Sequence, residues 1–158
     1  MSVILARIDD RLIHGQVTEG WCPKLRPDTI IVVSDNIAKS DWQRDICLAC
    51  LPRVLCGKVI STKDAPEMIN TFNTTSETAY ILFESPRDAY SVIENGAQIS
   101  SLNVGGMHAS SGKQEILDYI HVDDEDKKYL RELSRMGVEL DFRDLPNHEN
   151  VDVLARLK

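Results

Sequence analysis

A histidine and an arginine stand three residues apart in the segment ARIDDRLIHGQV, residues 6–17. Neutral imidazole is a good nucleophile, because its reference pKa of about 6.5 leaves one ring nitrogen unprotonated at neutral pH. A helix is predicted to begin at or just after His14, and a helix N-terminus offers unpaired amide donors and partial positive charge to an anion. Gly15 keeps that backbone accessible, and the planar guanidinium of Arg11 matches the oxygens of a phosphate. The pattern indicates an imidazole that accepts a phosphoryl group.

The spacing also allows a simpler interpretation of this loop. A lone histidine in a loop is usually a solvated or capping side chain. Asp9 and Asp10 are typical of turns and caps, since aspartate readily hydrogen-bonds nearby backbone. Arg7 and Arg11 could then form surface ion pairs with them, which contribute little to stability. On spacing alone, both interpretations stay open.

A second glycine-rich turn, NVGGMHASSGK at residues 103–113, follows a later predicted strand. Its spacing matches neither a dinucleotide fingerprint nor a P-loop, since the closing Gly-Lys pair precedes Gln114 rather than Ser or Thr. The residues at its centre are either a plain tight turn or a loop that faces a phosphate or partner across from His14: Gly105, Gly106, Met107 and His108. Asp35, which follows the strand predicted at 29–34, is either a helix cap or a site carboxylate.

Short apolar segments alternate with predicted helices, and they position these loops. Strands are predicted at 2–6, 29–34, 57–62, 78–83, 99–104 and 137–142, with a short edge strand at 115–122. Helices are predicted at 38–51, 63–72, 86–95 and 124–136, with a short helix in the tail NVDVLARL. This alternation predicts an α/β fold, a mostly parallel sheet with helices on both faces. Ligands of such sheets bind beyond the carboxyl ends of the strands, where the loops described above lie.

Length and composition restrict the class of protein. A chain of 158 residues predicts a single domain spanning 1–158, and a net charge of −7 disfavours nucleic acid as a partner. The four cysteines are interpreted as small buried thiols rather than zinc ligands or disulfides, which fits a reducing cytoplasm: Cys22, Cys47, Cys50 and Cys56. The sequence has neither a signal-peptide pattern nor an apolar run of membrane-spanning length, so a cytoplasmic protein is expected.

The chain resembles a known family in five segments that occur in the expected order. LARIDDRLIHGQV is similar to the signature of the IIB component of the mannose/fructose/sorbose class of the bacterial sugar phosphotransferase system. The other segments are IIVVSDNIAKSDWQ, YILFESPRDAYSVIENG, LNVGGMH followed by GK, and VDDEDKKYLRELSRMGVEL. The first motif is specific, and the ordered set makes a chance resemblance improbable.

The resemblance implies a phosphotransferase that acts as a cytoplasmic phosphocarrier. A IIA protein or domain would donate a phosphoryl group, His14 would hold it on the δ1 nitrogen, and a sugar bound by membrane IIC and IID partners would receive it. Recruitment by IIC and IID would bring the chain to the inner face of the membrane. In the phosphate site, Arg11 would clamp the phosphate, Asp10 would organise the loop and Gly15 would leave the backbone open. The family fold has one antiparallel strand, and neither a metal nor an organic cofactor is implied.

The IIA donor would have to surround the mouth of the His14 loop. We therefore expect it to contact Trp21, Arg11 and the 103–113 loop, because a carrier site needs an accessible rim. Glu84 departs from the family pattern, since a neutral residue there would repel phosphate less. The rival hypotheses are a non-catalytic regulator with an anion pocket at His14 and a nucleotide-binding enzyme based on the Gly105-Gly106 turn. The identity of the sugar and the formation of a homo-oligomer stay open.

Overall fold

A parallel sheet of six strands forms the centre of the protein, whose computed structural model describes residues 3–157. Along the chain the strands are β1 (Val3–Asp9), β2 (Thr29–Val33), β3 (Cys56–Ile60), β4 (Ala79–Phe83), β5 (Ser101–Gly106), β6 (Gln114–Leu117), β7 (Ile120–Val122) and β8 (Glu139–Asp141). The sheet has the order β3-β2-β4-β1-β5-β8, and all its pairings are parallel. Strand β1 therefore lies between β4 and β5, and its carboxyl end at Asp9 pairs with Gly106.

Helices connect the strands, and several of them begin at polar side-chain caps. They are α1 (Cys22–Leu25), α2 (Asp35–Ala38), α3 (Asp41–Ala49), α4 (Ala65–Phe72), α5 (Pro86–Glu94) and α6 (Asp124–Arg135). A π-helical segment, Gln16–Trp21, leads directly into α1. The side chains of Ser34, Ser40, Ser85 and Asp123 each accept a backbone N–H of the helix that follows, which is α2, α3, α5 and α6 respectively. The helix predicted at 38–51 corresponds to α3, which begins at Asp41 because Ser40 caps it, and α2 is a separate turn before it.

The helices cover both faces of the sheet, as predicted. Alternate residues of a strand point to opposite faces. On one face, Ile31, Ile81 and Val104 pack with buried residues of α4, α5 and α6. On the other face, Val32 and Leu82 pack with the His14 loop, the π-helical segment and α1, and half-buried residues of α2 and α3 flank them. The predicted fold class is confirmed, and among the helices of residues 3–157 none has the length and apolar character to span a membrane.

The antiparallel pairing lies outside the main sheet. Residues 115–122, predicted as one edge strand, fold back as the hairpin β6–β7 instead. The hairpin is fixed to the end of β5, because Met107 donates its N–H to the carbonyl of Tyr119 (2.9 Å) and accepts the N–H of His121 (2.8 Å). The tail forms only a 3-10 turn at Leu154–Arg156.

The four cysteines are free thiols that differ in exposure. Cys22 is buried, which raises its pKa to about 11, and Cys47 is half-buried. Cys50 and Cys56 are exposed, so the prediction of buried thiols is wrong for these two. Cys56 lies on β3, an edge strand of the sheet, and Cys50 lies at the C-terminal end of α3. Both places are covered by protein on one side only, so the thiols reach solvent.

Candidate functional site

The loop that carries His14 leaves the carboxyl end of β1 and turns back over it. Leu12 has φ of +58°, a left-handed conformation that costs a residue other than glycine about 1–3 kcal/mol. Its N–H donates to the carbonyl oxygen of Asp9 at 2.9 Å, and its side chain is buried. This reversal of the chain returns the imidazole of His14 to the side chain of Asp9.

The carboxylate of Asp9 is the centre of the site. It accepts hydrogen bonds from Arg7 Nη2 at 2.8 Å, Arg11 Nε at 3.3 Å and His14 Nε2 at 2.7 Å. Burial raises the pKa of Asp9, but the hydrogen bond from His14 and the charge of Arg7 outweigh it and lower the pKa to about 2. Asp9 is thus ionised at neutral pH. Because Arg7 and Asp9 are fully buried, the interpretation as a surface ion pair is wrong for them.

The contact with Asp9 determines which nitrogen of His14 can react. An ionised carboxylate only accepts hydrogen bonds, so Nε2 carries the proton and Nδ1 of the neutral ring keeps its lone pair. The N–H of Gln16 donates to Nδ1 at 3.3 Å, so a group bound to Nδ1 would meet the start of the π-helical segment. The His14 side chain is 16% exposed, which leaves the ring open to solvent at one edge.

Arg11 lies beside His14 at the surface. Its side chain is 35% exposed and shares the carboxylate of Asp9 with the imidazole. Its Nη2 donates to Oε1 of Gln16 at 2.7 Å, and the same oxygen accepts from Arg7 Nη2 at 3.2 Å. Gly15 is exposed with φ of −54°, and a Cβ there would come no closer than 4.0 Å to Glu19. The site therefore combines a lone pair, an exposed guanidinium and an open backbone.

Gly105 and Gly106 belong to the buried support of the site. A Cβ on Gly105 would lie 2.0 Å from the guanidinium carbon of Arg7, and one on Gly106 would lie 2.8 Å from Oδ1 of Asp9. Both residues are buried within β5. The two glycines thus allow Arg7 and Asp9 to approach the neighbouring strand, and the prediction that they face a phosphate or a partner is wrong.

Replacing Gly105 with alanine tests this close approach. The added methyl group would displace the guanidinium of Arg7, and overpacking of this kind typically costs about 1–3 kcal/mol. We expect a lower free energy of unfolding in urea. Gly15→Ala is the matched control, because its methyl group would enter open space. Equal urea midpoints for the two variants would contradict the packing argument.

Two residues expected at the partner-facing rim are buried. Trp21 is 4% exposed, and its Nε1 donates to the carbonyl oxygen of Asp144 at 2.9 Å. The centroid of its ring lies 5.6 Å from the guanidinium carbon of Arg7 and 5.9 Å from that of Arg143. Met107 is 2% exposed and belongs to the core. The prediction that Trp21 and Met107 contact a docking partner is therefore wrong.

The three remaining candidate residues, Asp10, Asp35 and His108, occupy different places. The carboxylate of Asp10 turns away from the phosphate site to bind exposed His108, so it can hold the loop but does not offer a donor to phosphate. Asp35 is exposed and accepts the N–H and hydroxyl of Thr62, at 2.8 and 3.0 Å. The helix cap at that position is Ser34, whose hydroxyl also donates to Glu84 at 2.8 Å.

The buried half of the site was not predicted from the sequence. Arg7, Asp9 and Asn103 form it with half-buried Gln16 at its edge, and Asn103 Oδ1 accepts from Arg7 Nη1 at 2.7 Å. One signal was available: Arg7 and Asp9 stand two apart, so both project to one face of a strand that the fold class makes central. Among residues 3–157, no three His, Cys, Asp or Glu side chains are arranged to hold a metal ion.

Comparisons with known proteins agree with this architecture. The family model described as "PTS system sorbose subfamily IIB component" matches residues 3–158. The fructose-specific EIIB component of Bacillus subtilis (strain 168) is 35% identical over all of this chain and 97% of its own length. The mannose-specific EIIAB component of Escherichia coli (strain K12) is 33% identical over 99% of this chain, which spans half of that protein.

Solved structures show the same fold at similar identity. The crystal structure of the IIBSor domain of the sorbose permease from Klebsiella pneumoniae superposes with a TM-score of 0.90 and 33% identity, covering 99% of this chain and 96% of that one. An N-acetylgalactosamine IIB component from Streptococcus pyogenes gives a TM-score of 0.90 at 25% identity over 98% and 97% of the two chains. Matched across residues 3–158 by the family model, the chain belongs to the sorbose-subfamily IIB components of the phosphotransferase system.

Proposed function

We propose that the chain is a phosphocarrier that takes a phosphoryl group onto Nδ1 of His14 and passes it to a sugar. The observation that carries this proposal is the 2.7 Å bond between His14 Nε2 and the ionised carboxylate of Asp9. That bond fixes the proton on Nε2 and leaves Nδ1 unprotonated, with a lone pair that can attack phosphorus once the weak hydrogen bond from the Gln16 N–H gives way. Family membership supplies the class of reaction, since the relatives are named as components of a sugar phosphotransferase system.

The geometry supports a transfer that depends on positioning and charge. Nδ1 would bond to phosphorus while the donor's nitrogen–phosphorus bond breaks, through a loose transition state with charge on three equatorial oxygens. Arg11 and the N–H of Gln16 are placed to meet that charge. The ring gains positive character as the new bond forms, and the carboxylate of Asp9 stabilises it. In the second transfer a sugar hydroxyl takes the group and His14 returns to its starting form.

A IIA domain is the donor that we propose, and a sugar held by membrane IIC and IID partners is the acceptor. The EIIAB name of the mannose-specific relative supports the first assignment, because that relative carries IIA together with a IIB part. The chain would act as a single domain in the cytoplasm and at the inner face of the membrane. The donor's surface must cover the mouth of the His14 loop, where Arg11 and the 72% exposed Trp42 line the same cleft, rather than buried Trp21.

Phosphorylation of the unaltered chain tests the proposed function. The chain is incubated with the general phosphotransferase proteins, a IIA donor and phosphoenolpyruvate, and phosphorus NMR then distinguishes the two isomers of phosphohistidine. We expect one acid-labile, base-stable signal with the shift of the Nδ1 isomer. An Nε2 signal would contradict the assignment from Asp9. Anion binding without a covalent signal would favour the non-catalytic regulator.

A further inference from the structure

A second aspartate–histidine pair stands directly beside the first. We propose that His108 is a positioning residue, which holds Asp10 through Nδ1 and thereby places the guanidinium of Arg11 for transfer. This inference rests on the proposed function, because Arg11 can assist phosphoryl transfer only if His14 carries a phosphoryl group.

Two bonds join His108 to Asp10. The backbone N–H of His108 donates to Oδ2 at 2.7 Å, and ring atom Nδ1 lies 2.5 Å from Oδ1. The N–H of Asp10 donates to the carbonyl oxygen of Gly106 at 3.1 Å. Asp10 is therefore held on both its backbone and its side chain by the end of β5.

His108 follows a part of the chain that is bonded to the hairpin, whereas Asp10 lies in a loop of irregular backbone. Met107 is buried, and its two backbone bonds to the hairpin β6–β7 fix the chain just before His108. Arg11 directly follows Asp10, has an exposed side chain and precedes Leu12 with its left-handed backbone. A loop with such a conformation needs restraint from outside. The carboxylate of Asp10 supplies it one residue before the guanidinium that must meet the phosphate.

The two histidines use opposite ring nitrogens. Asp10 can only accept when ionised, so the proton of neutral His108 sits on Nδ1 and its Nε2 faces solvent with the side chain 55% exposed. In His14 the proton sits on Nε2, and Nδ1 is unprotonated and accepts the N–H of Gln16. A positioning role for His108 thus depends on Nδ1, whereas a direct contact with a partner would depend on Nε2.

Asparagine and glutamine separate these two roles. The amide nitrogen of Asn falls near the position of Nδ1, and that of Gln near the position of Nε2. Single-turnover transfer from phosphorylated IIA is measured for the parent, His108→Asn and His108→Gln over a range of donor concentrations. We expect His108→Asn to stay within about two-fold of the parent and His108→Gln to slow the maximal rate about ten- to a hundred-fold, since small misplacements are costly. The donor concentration at half-maximal rate should not change.

A coupling experiment and a signal independent of activity complete the test. In an Arg11→Ala background, His108→Gln should slow transfer no further, because the two residues act as one unit.

The Nδ1–H proton resonance of His108 should disappear in Asp10→Ala and persist in His14→Ala. Equal maximal rates for the parent and His108→Gln would overturn the inference. Equal slowing by His108→Asn and His108→Gln would also overturn it, as would a change in only the donor concentration at half-maximal rate. Absence of label on the parent chain, with the Nδ1–H resonance behaving as expected, would instead place the failure in the proposed function.

Discussion

Replacement of His14 with alanine is expected to give a folded protein that takes up no phosphoryl group. The variant loses the ring nitrogen lone pair that Asp9 and the start of the π-helical segment orient together. Asp9 keeps its bonds to Arg7 and Arg11, so the carboxylate is not left unpaired. The variant loses the hydrogen bond from His14 to Asp9 and the one from the N–H of Gln16 to His14. Since each such bond typically contributes about 0.5–1.5 kcal/mol, the free energy of unfolding should fall by about 1–3 kcal/mol. Label from phosphoenolpyruvate should fall to background.

The matched control is His121→Ala. His121 is also a partly covered histidine, and its Nδ1 lies 3.2 Å from a carbonyl oxygen of Met107 rather than beside an arginine. We expect its labelling to equal that of the parent. Labelling of His14→Ala at the parent level would refute the assignment of the acceptor. Label retained in His14→Ala but lost in His108→Ala would move the site to His108.

Replacement of Arg11 with alanine is expected to slow transfer by about a hundred- to a thousand-fold, equivalent to about 2.7–4 kcal/mol, as for deletion of an oxyanion donor. Arg7 cannot take its place, because its guanidinium is buried and bound to Asp9, Gln16 and Asn103. The charge on the equatorial oxygens would then be met by backbone N–H groups alone. Single-turnover transfer from phosphorylated IIA measures the rate.

Arg11→Lys tests how much of this effect comes from the shape of the group. Lysine keeps the charge but loses the planar pair of donors, so its rate should fall between those of the parent and Arg11→Ala. Arg87, exposed at the start of α5, is the control arginine, and Arg87→Ala should transfer at the parent rate. If Arg11→Ala also transferred at the parent rate, Arg11 would be only a surface partner of Asp9.

The outer half of the site could be predicted because local sequence determines it. His14, Gly15 and Arg11 lie within five residues at a strand end, and strand–helix alternation places that end where ligands bind. The caps at Ser85 and Asp123 were equally local. The fold class followed from the same alternation, since it depends on the order of elements rather than on particular contacts.

The inner half could not be predicted because it depends on contacts far apart in the chain. Arg7 is buried by Asn103 and by the backbone of Asp144, which lie 96 and 137 residues away. Tryptophan is a residue type that often anchors a docking partner, yet Trp21 lies beside the guanidinium groups of Arg7 and Arg143, which come from separate parts of the chain. Gly105 resembles a turn residue until the guanidinium against it is known.

The shared carboxylate of Asp9 bears on how tightly a phosphoryl group would be held. In the unphosphorylated site Arg11 already has an anion as its partner, so an incoming phosphate would have to compete with Asp9 for the guanidinium. The gain from a new ion pair is offset in part by the loss of an old one. A carrier built this way would not bind the phosphoryl group too tightly to release it. Its phosphorylated and free forms would lie close in free energy, so the phosphoryl-transfer potential received from the donor would remain available to the acceptor.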